Sequence, residues 1–183
     1  MKYSNRNSIP FMLTIVFCFI LFACESNFRD VQKMGVAEFA PSGDADSINL
    51  KYTDSGRITA NLISPKMLDY ATVEFPFTEF PKGIHLTLYD KNGKETYVDA
   101  NYAISHKATN IIDLKGNVKI SNQNKELLET EQLYYDQKDE WFYTEKKFKF
   151  TSPKGVSFGE GIDFSKDFKK VNSQKISGEV QSK

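Results

Sequence analysis

The chain has 183 residues, with 24 basic and 24 acidic side chains and hence no net charge, and 14% of it is aromatic. That balance offers no basic face of the kind nucleic acid requires, so no nucleic-acid partner is expected. The two cysteines, Cys18 and Cys24, both lie near the start, which excludes a disulfide framework or a cysteine metal site in everything that follows them.

The first residues carry Lys2 and Arg6, then an apolar run from Ile9 to Ala23, then Cys24-Glu25-Ser26-Asn27. A basic start, an apolar stretch and a small residue before the cut describe an export signal. The run is short against the roughly 20 apolar residues needed to cross a hydrocarbon core of about 30 Å. Leu21-Phe22-Ala23-Cys24 resembles a bacterial lipobox, in which the signal is removed before a cysteine that then receives lipid. Residues 1–23 are therefore expected to be a lipoprotein signal peptide, with Cys24 as the lipid anchor. A retained single-span anchor and a plain secretory signal are the alternatives. Cleavage would remove Lys2 and Arg6 and no acid, leaving a net charge of minus two.

From Glu25 to about Ser47 the chain lacks sustained periodicity and is read, with Cys24, as a tether over residues 24–47, with a weak helical hint at Arg29 to Lys33. From Ile48 the period becomes two, the mark of strands with one buried face, so residues 48–183 are expected to form a single all-β domain. Apolar residues fall on even positions: Ile58, Ala60 and Leu62; Ile84, Leu86 and Leu88; Val98, Ala100, Tyr102 and Ile104; Ile112, Leu114, Val118 and Ile120. Phe142, Phe148 and Phe150, then Val156, Phe158, Ile162 and Phe164, then Ile176 and Val180 continue the series, while Arg57, Asn61, Asp99, Lys119, Lys147 and Lys149 occupy odd positions. Turn residues separate the windows at Asp54-Ser55-Gly56, Asp90 to Lys94, Asp136 to Asp139 and Ser152 to Gly155; Asn92-Gly93 is the strongest hairpin signal because both residues tolerate positive φ. Only LISPKMLDY and NKELLETEQL hint at helix.

Three segments ending at Val118, Phe148 and Val180 line up as a repeat of about two strands and two turns, although any β-meander gives similar spacing. Leu114-Lys115-Gly116-Asn117-Val118-Lys119-Ile120, followed by Leu128-Glu129-Thr130-Glu131-Gln132-Leu133-Tyr134-Tyr135-Asp136, resembles the GNV and L-x-YD pattern of the LptC, LptA and OstA-like family. Gly159-Glu160-Gly161-Ile162-Asp163-Phe164 is similar to the family's closing strand, and Ser64-Pro65-Lys66-Met67 and Phe80-Pro81-Lys82-Gly83-Ile84 are similar to forms in its lipobox-anchored members.

That resemblance implies a twisted, open β-jellyroll or β-sandwich of antiparallel strands with sheets parted enough to admit lipopolysaccharide acyl chains. It also implies an inner-membrane ABC transporter and an LptA-like periplasmic bridge protein as partners, with attachment to the membrane through the lipid. On this basis Ile58, Leu86, Val98, Tyr102, Ile112, Val118, Phe148 and Phe158 are the expected groove-lining residues. The plainer alternative is a non-catalytic structural lipoprotein, or a glycan-binding one, whose even face fills a closed core; Trp141 and Tyr143 are the visible aromatics for a glycan platform. Lys147 and Lys149 fit a solvated strand face or a contact with anionic lipid. His85 and His106 are isolated, and no HExxH, GxSxG or phosphate loop occurs, so no catalytic residue, metal or cofactor is expected.

Overall fold

The computed structural model describes residues 40–177. The signal, Cys24, the hint at Arg29 to Lys33 and the repeat end at Val180 lie outside them. The described residues form eleven strands: β1 (Gly43–Asp54), β2 (Arg57–Tyr70), β3 (Phe77–Phe80), β4 (Ile84–Tyr89), β5 (Glu95–Ala100), β6 (Tyr102–His106), β7 (Ile111–Asn122), β8 (Leu127–Asp136), β9 (Trp141–Ser152), β10 (Gly155–Ser165) and β11 (Val171–Ser177). All pairings are antiparallel within one sheet, in the order β11-β10-β9-β8-β7-β5-β4-β2-β3-β6, with β1 on the far side of β2 and β6 also paired to β7.

The sheet is folded on itself along a crease that crosses the strands near their middles. β2 pairs with β4 through Ala60–Ile63 and with β3 through Leu68–Tyr70, and in the gap stands Pro65, which has no N–H to donate to a neighbour. β7 bulges between Lys115 and Val118, where Gly116 and Asn117 take φ of 73° and 47°, and β10 bulges at Gly161, φ 75°. The register also slips between Thr130 and Tyr134 on β8. The two leaves this creates face one another. One holds the inward row Leu62, Leu86, Val98, Ile120, Leu128 and Phe150; the other holds Ile112, Tyr135, Phe142 and Phe164.

Bending a strand frees backbone groups from the ladder, and inside a core each must find another partner. Three buried hydroxyls stand at the crease. Ser64 Oγ donates to Gly83 O (2.7 Å), Thr130 Oγ1 donates to Lys147 O (2.9 Å), and Thr144 Oγ1 accepts from Lys146 N–H (3.0 Å).

Several details differ from the sequence reading. β1 begins at Gly43, so residues 43–47 belong to the sheet and not to the tether: Asp44 and Asp46 read as linker polarity, yet both carboxylates meet the Lys66 ammonium. LISPKMLDY lies within β2, its helix-like spacing produced by the change of neighbour at Pro65. NKELLETEQL contains the β7–β8 turn, in which Asn122 Oδ1 accepts from Asn124 and Glu126 N–H, and then β8. At Asp90 to Lys94 only Gly93 takes positive φ; the loop is organised by the Asp90 carboxylate, which accepts from Asn92 and Lys94 N–H.

Replacing Thr130 by valine keeps its shape but leaves Lys147 O without its donor. The loss is expected to be about 1–3 kcal/mol of unfolding free energy, read from denaturant melts. A melt unchanged from wild type would remove the crease hydroxyls from the account of stability.

Candidate functional site

Between the leaves lies an apolar cavity of about 240 Å³. Leu62, Leu86 and Leu88 line it from one leaf, Phe80, Ile112 and Tyr135 from the other, and Thr59, Gln137, Glu140 and Lys166 form its polar rim. Through Thr59, Glu140 and Lys166 it meets a wider cleft of about 640 Å³ at the lips of the fold, built from the β1–β2, β4–β5, β8–β9 and β10–β11 turns. A third, shallower recess of about 420 Å³ lies beside the crease, against Val118, Phe148 and Phe158. The interior is thus open at one margin, and its volume lies below the roughly 300–1,000 Å³ usual for small-molecule sites.

Of the expected lining residues, Leu86, Val98, Ile112, Val118 and Phe148 belong to the buried interior cluster, and Leu86 and Ile112 line the cavity itself. Three stand elsewhere. Ile58 is 46% exposed, in the part of the β1–β2 hairpin beyond the reach of β4, and borders the cleft. Tyr102 follows the corner at Asn101, where the alternation shifts by one: Ala103 is fully buried, and the Tyr102 hydroxyl instead donates to Glu79 Oε1 (2.7 Å). Burial, with the neighbouring Glu79 carboxylate, holds that hydroxyl above the usual tyrosine range. Phe158 is 48% exposed because the Gly161 bulge reverses β10. It pairs with Lys149 and ends an outer-face row running Ile63, His85, Asp99, Lys119, Glu129, Lys149.

The reversed parity also brings in residues that even-position counting passes over: Ala103, Leu133 and Tyr135. An isolated Gly within a strand pattern, as at Gly161, is the sequence signal for such a reversal. Phe168 has no periodic signal because it sits in the β10–β11 turn. Its φ is +59°, unusual for a bulky residue, and its ring lies tilted against Phe164 (4.9 Å) and stacks on Phe150 (6.0 Å), extending the run from Tyr135 and Phe142 across to the opposite leaf.

Charge on the outer face is paired or solvated. Lys149 meets Glu129 (3.0 Å), His85 Nδ1 meets Asp99 (2.7 Å), and Lys147 is exposed. Tyr143 stacks on Tyr134 at 5.1 Å, and Trp141 borders the cleft. Among the described residues no group of three His, Cys, Asp or Glu side chains could hold a metal ion.

An antiparallel sheet folded around an apolar interior, with free strands β1 and β11 at its margins, is a β-jellyroll. The sequence matches, over residues 15–175, the family described as "Lipopolysaccharide-assembly, LptC-related", and the chain belongs to that family. Membership carries a role in lipopolysaccharide export as a periplasmic transport component of Gram-negative bacteria. No curated protein matches the chain.

Two outcomes are expected at the β10–β11 turn. Phe168→Ala removes the ring that joins the leaves and should cost about 3–5 kcal/mol in denaturant unfolding. Within the same turn burial pushes the Asp167 carboxyl up, but hydrogen bonds from Lys169 and Ser165 outweigh it and hold it at about 2. Its stabilisation is therefore complete above the unfolded value of about 4 and is lost as pH falls toward 2, so the Lys169 amide shift should titrate near the lower value.

Proposed function

We propose that this chain is a membrane-anchored, periplasm-facing component of the export machinery that accepts lipopolysaccharide from the inner-membrane ABC transporter. It passes the lipid along its apolar interior to an LptA-like bridge protein. The observation that carries this reading is the interior itself, apolar from both leaves and open at the lips. An acyl chain in water costs about 0.8 kcal/mol per methylene, so several chains cannot cross an aqueous compartment bare. The cavity marks where the leaves would part first.

The margins suit the chain's place in a series. Among the described residues β1 pairs only with β2, and β11 only with β10, which leaves backbone groups able to accept a neighbour's strand. Lipidation at Cys24 would hold the domain at the inner membrane through a tether that ends where β1 begins. Nothing in this reading calls for a catalytic residue, metal or cofactor.

The small cavity volume favours the rival, a non-catalytic structural or glycan-binding lipoprotein with a filled core. Crosslinking separates the two. A photoreactive phenylalanine in place of Tyr135 or Phe148 in cells is expected to capture lipopolysaccharide, whereas one at Lys147, on the outer face, is not. Absence of lipid adducts at both interior positions would leave the filled-core reading standing.

A further inference from the structure

The β10–β11 turn belongs to one leaf and reaches the other. It is fixed to the leaf of Phe142 and Phe164 by the Ser165–Trp141 ladder pair and by Lys166, whose N–H donates to Glu140 O (3.0 Å) and whose ammonium pairs with the Glu140 carboxylate. Its polar holds on the leaf of Leu62 and Phe150 are lighter: Thr96 Oγ1 donates to Lys166 O (2.9 Å), and the Lys166 ammonium donates to Tyr89 O at 3.4 Å. What crosses between the leaves besides these is the ring of Phe168.

That ring is 7% exposed and lies between Phe164 (4.9 Å) on its own leaf and Phe150 (6.0 Å) on the other, filling a slot one ring thick. Its backbone is strained: a φ of +59° is costly for a bulky L-residue, and such outliers persist only where their surroundings hold them and gather at ligand clamps and switches. An aromatic wall joins the slot to the cavity, since Tyr135, which lines the cavity, stacks on Phe142 (4.4 Å) and Phe142 on Phe164 (5.3 Å). Two spaces also meet at the turn, the cavity of about 240 Å³ and another of about 70 Å³ beside Thr96 and Asp167, and Leu88 and Lys166 line both. The ring is thus held in an unfavourable backbone conformation, at the end of an apolar wall, in a turn bordered by open space.

We propose that this slot is an acyl-chain subsite and that Phe168 is its displaceable plug: one unbranched acyl chain of a lipid, lying in the cavity, continues between Phe150 and Phe164, and the tip of the turn swings outward with its ring. This rests on the lipid-transport reading and adds to it a subsite and the residue that guards it. The walls are flat and carry no polar atom, and a slot one ring thick takes a single chain and excludes a branched or fused body. Exchange keeps both walls covered, because methylenes replace the ring against them, and it frees Phe168 from its strained backbone. Of the holds on the turn only the Thr96 bond must break, while the Ser165–Trp141 pair and the Glu140 contacts stay in place.

The test uses the full-length chain in a bile-salt detergent, which has no acyl chain of its own, and palmitic acid bearing a diazirine at its far end, with the labelled residues identified by mass spectrometry. Label is expected on Leu86 or Ile112 in the cavity and on Phe150 or Phe164 in the slot. Phe168→Ala removes the plug; with the ring displaced in about one molecule in ten beforehand, the ratio of slot to cavity labelling should rise about tenfold. Phe168→Trp, a larger plug, should lower that ratio, whereas a ring that served packing alone would make both variants loosen the core and shift it the same way. A ratio that is equal in all three chains, or that both variants move in one direction, overturns the plug. If Phe168→Ala does not fold, Thr96→Val is read in its place: losing the bond to the far leaf should raise the ratio about threefold, and a wild-type ratio overturns the plug. Cavity labelling with none in the slot of any variant overturns the subsite and leaves the transport reading standing; labelling of neither place overturns the transport reading itself.

Discussion

The fold depends on how backbone hydrogen bonds are satisfied where the strands bend. A sheet of this size folds into two leaves only if its long strands turn sharply near their middles, and each turn takes peptide groups out of the ladder inside an apolar core. Pro65 removes one demand by having no N–H. Gly116, Asn117 and Gly161 supply positive φ, and Ser64, Thr130 and Thr144 replace lost ladder bonds with hydroxyls. Without those substitutes the same apolar rows would stack into a flat sheet with one greasy face exposed to water.

From that crease follow both the interior and its mouth. Rows from the two leaves meet through Leu62 and Leu86 on one side and Phe80 and Ile112 on the other, and the gap they leave meets the cleft at the lips through Thr59, Glu140 and Lys166. Family membership gives the fold its place in lipopolysaccharide export, and the geometry has apolar walls, a polar rim and, among the described residues, two marginal strands each paired on one side alone.

Much of this was legible in the sequence, and the failures have one cause. Alternation at even positions found Leu62, Leu86, Val98, Ile112, Val118, Phe142 and Phe148; on β7 the even parity holds across the bulge at Gly116 and Asn117, with Ile112, Leu114, Val118 and Ile120 all buried. It missed Ala103, Leu133 and Tyr135, and turned Phe158 the wrong way, because a period of two carries no memory across a bulge or corner; a single extra residue inverts everything after it. Tether and strand were confused at Gly43 to Ser47 since carboxylates look alike whether solvated or paired to Lys66. Phe168 was invisible for a different reason: its burial comes from a turn folding back over the sheet, and turns have no periodicity to read.

The crease also sets the mechanics of the molecule. About five residues separate it from the lip on each leaf, and at about 3.3 Å per residue the leaf is a lever about 16 Å long, so a rotation of roughly 10° parts the lips by about 3 Å. The strain at the bulges is small, because glycine tolerates such a change, while the displacement at the far end is large. A fastening placed at the lip, such as the bond from Thr96 Oγ1 on one leaf to Lys166 O on the other, works with the greatest mechanical advantage.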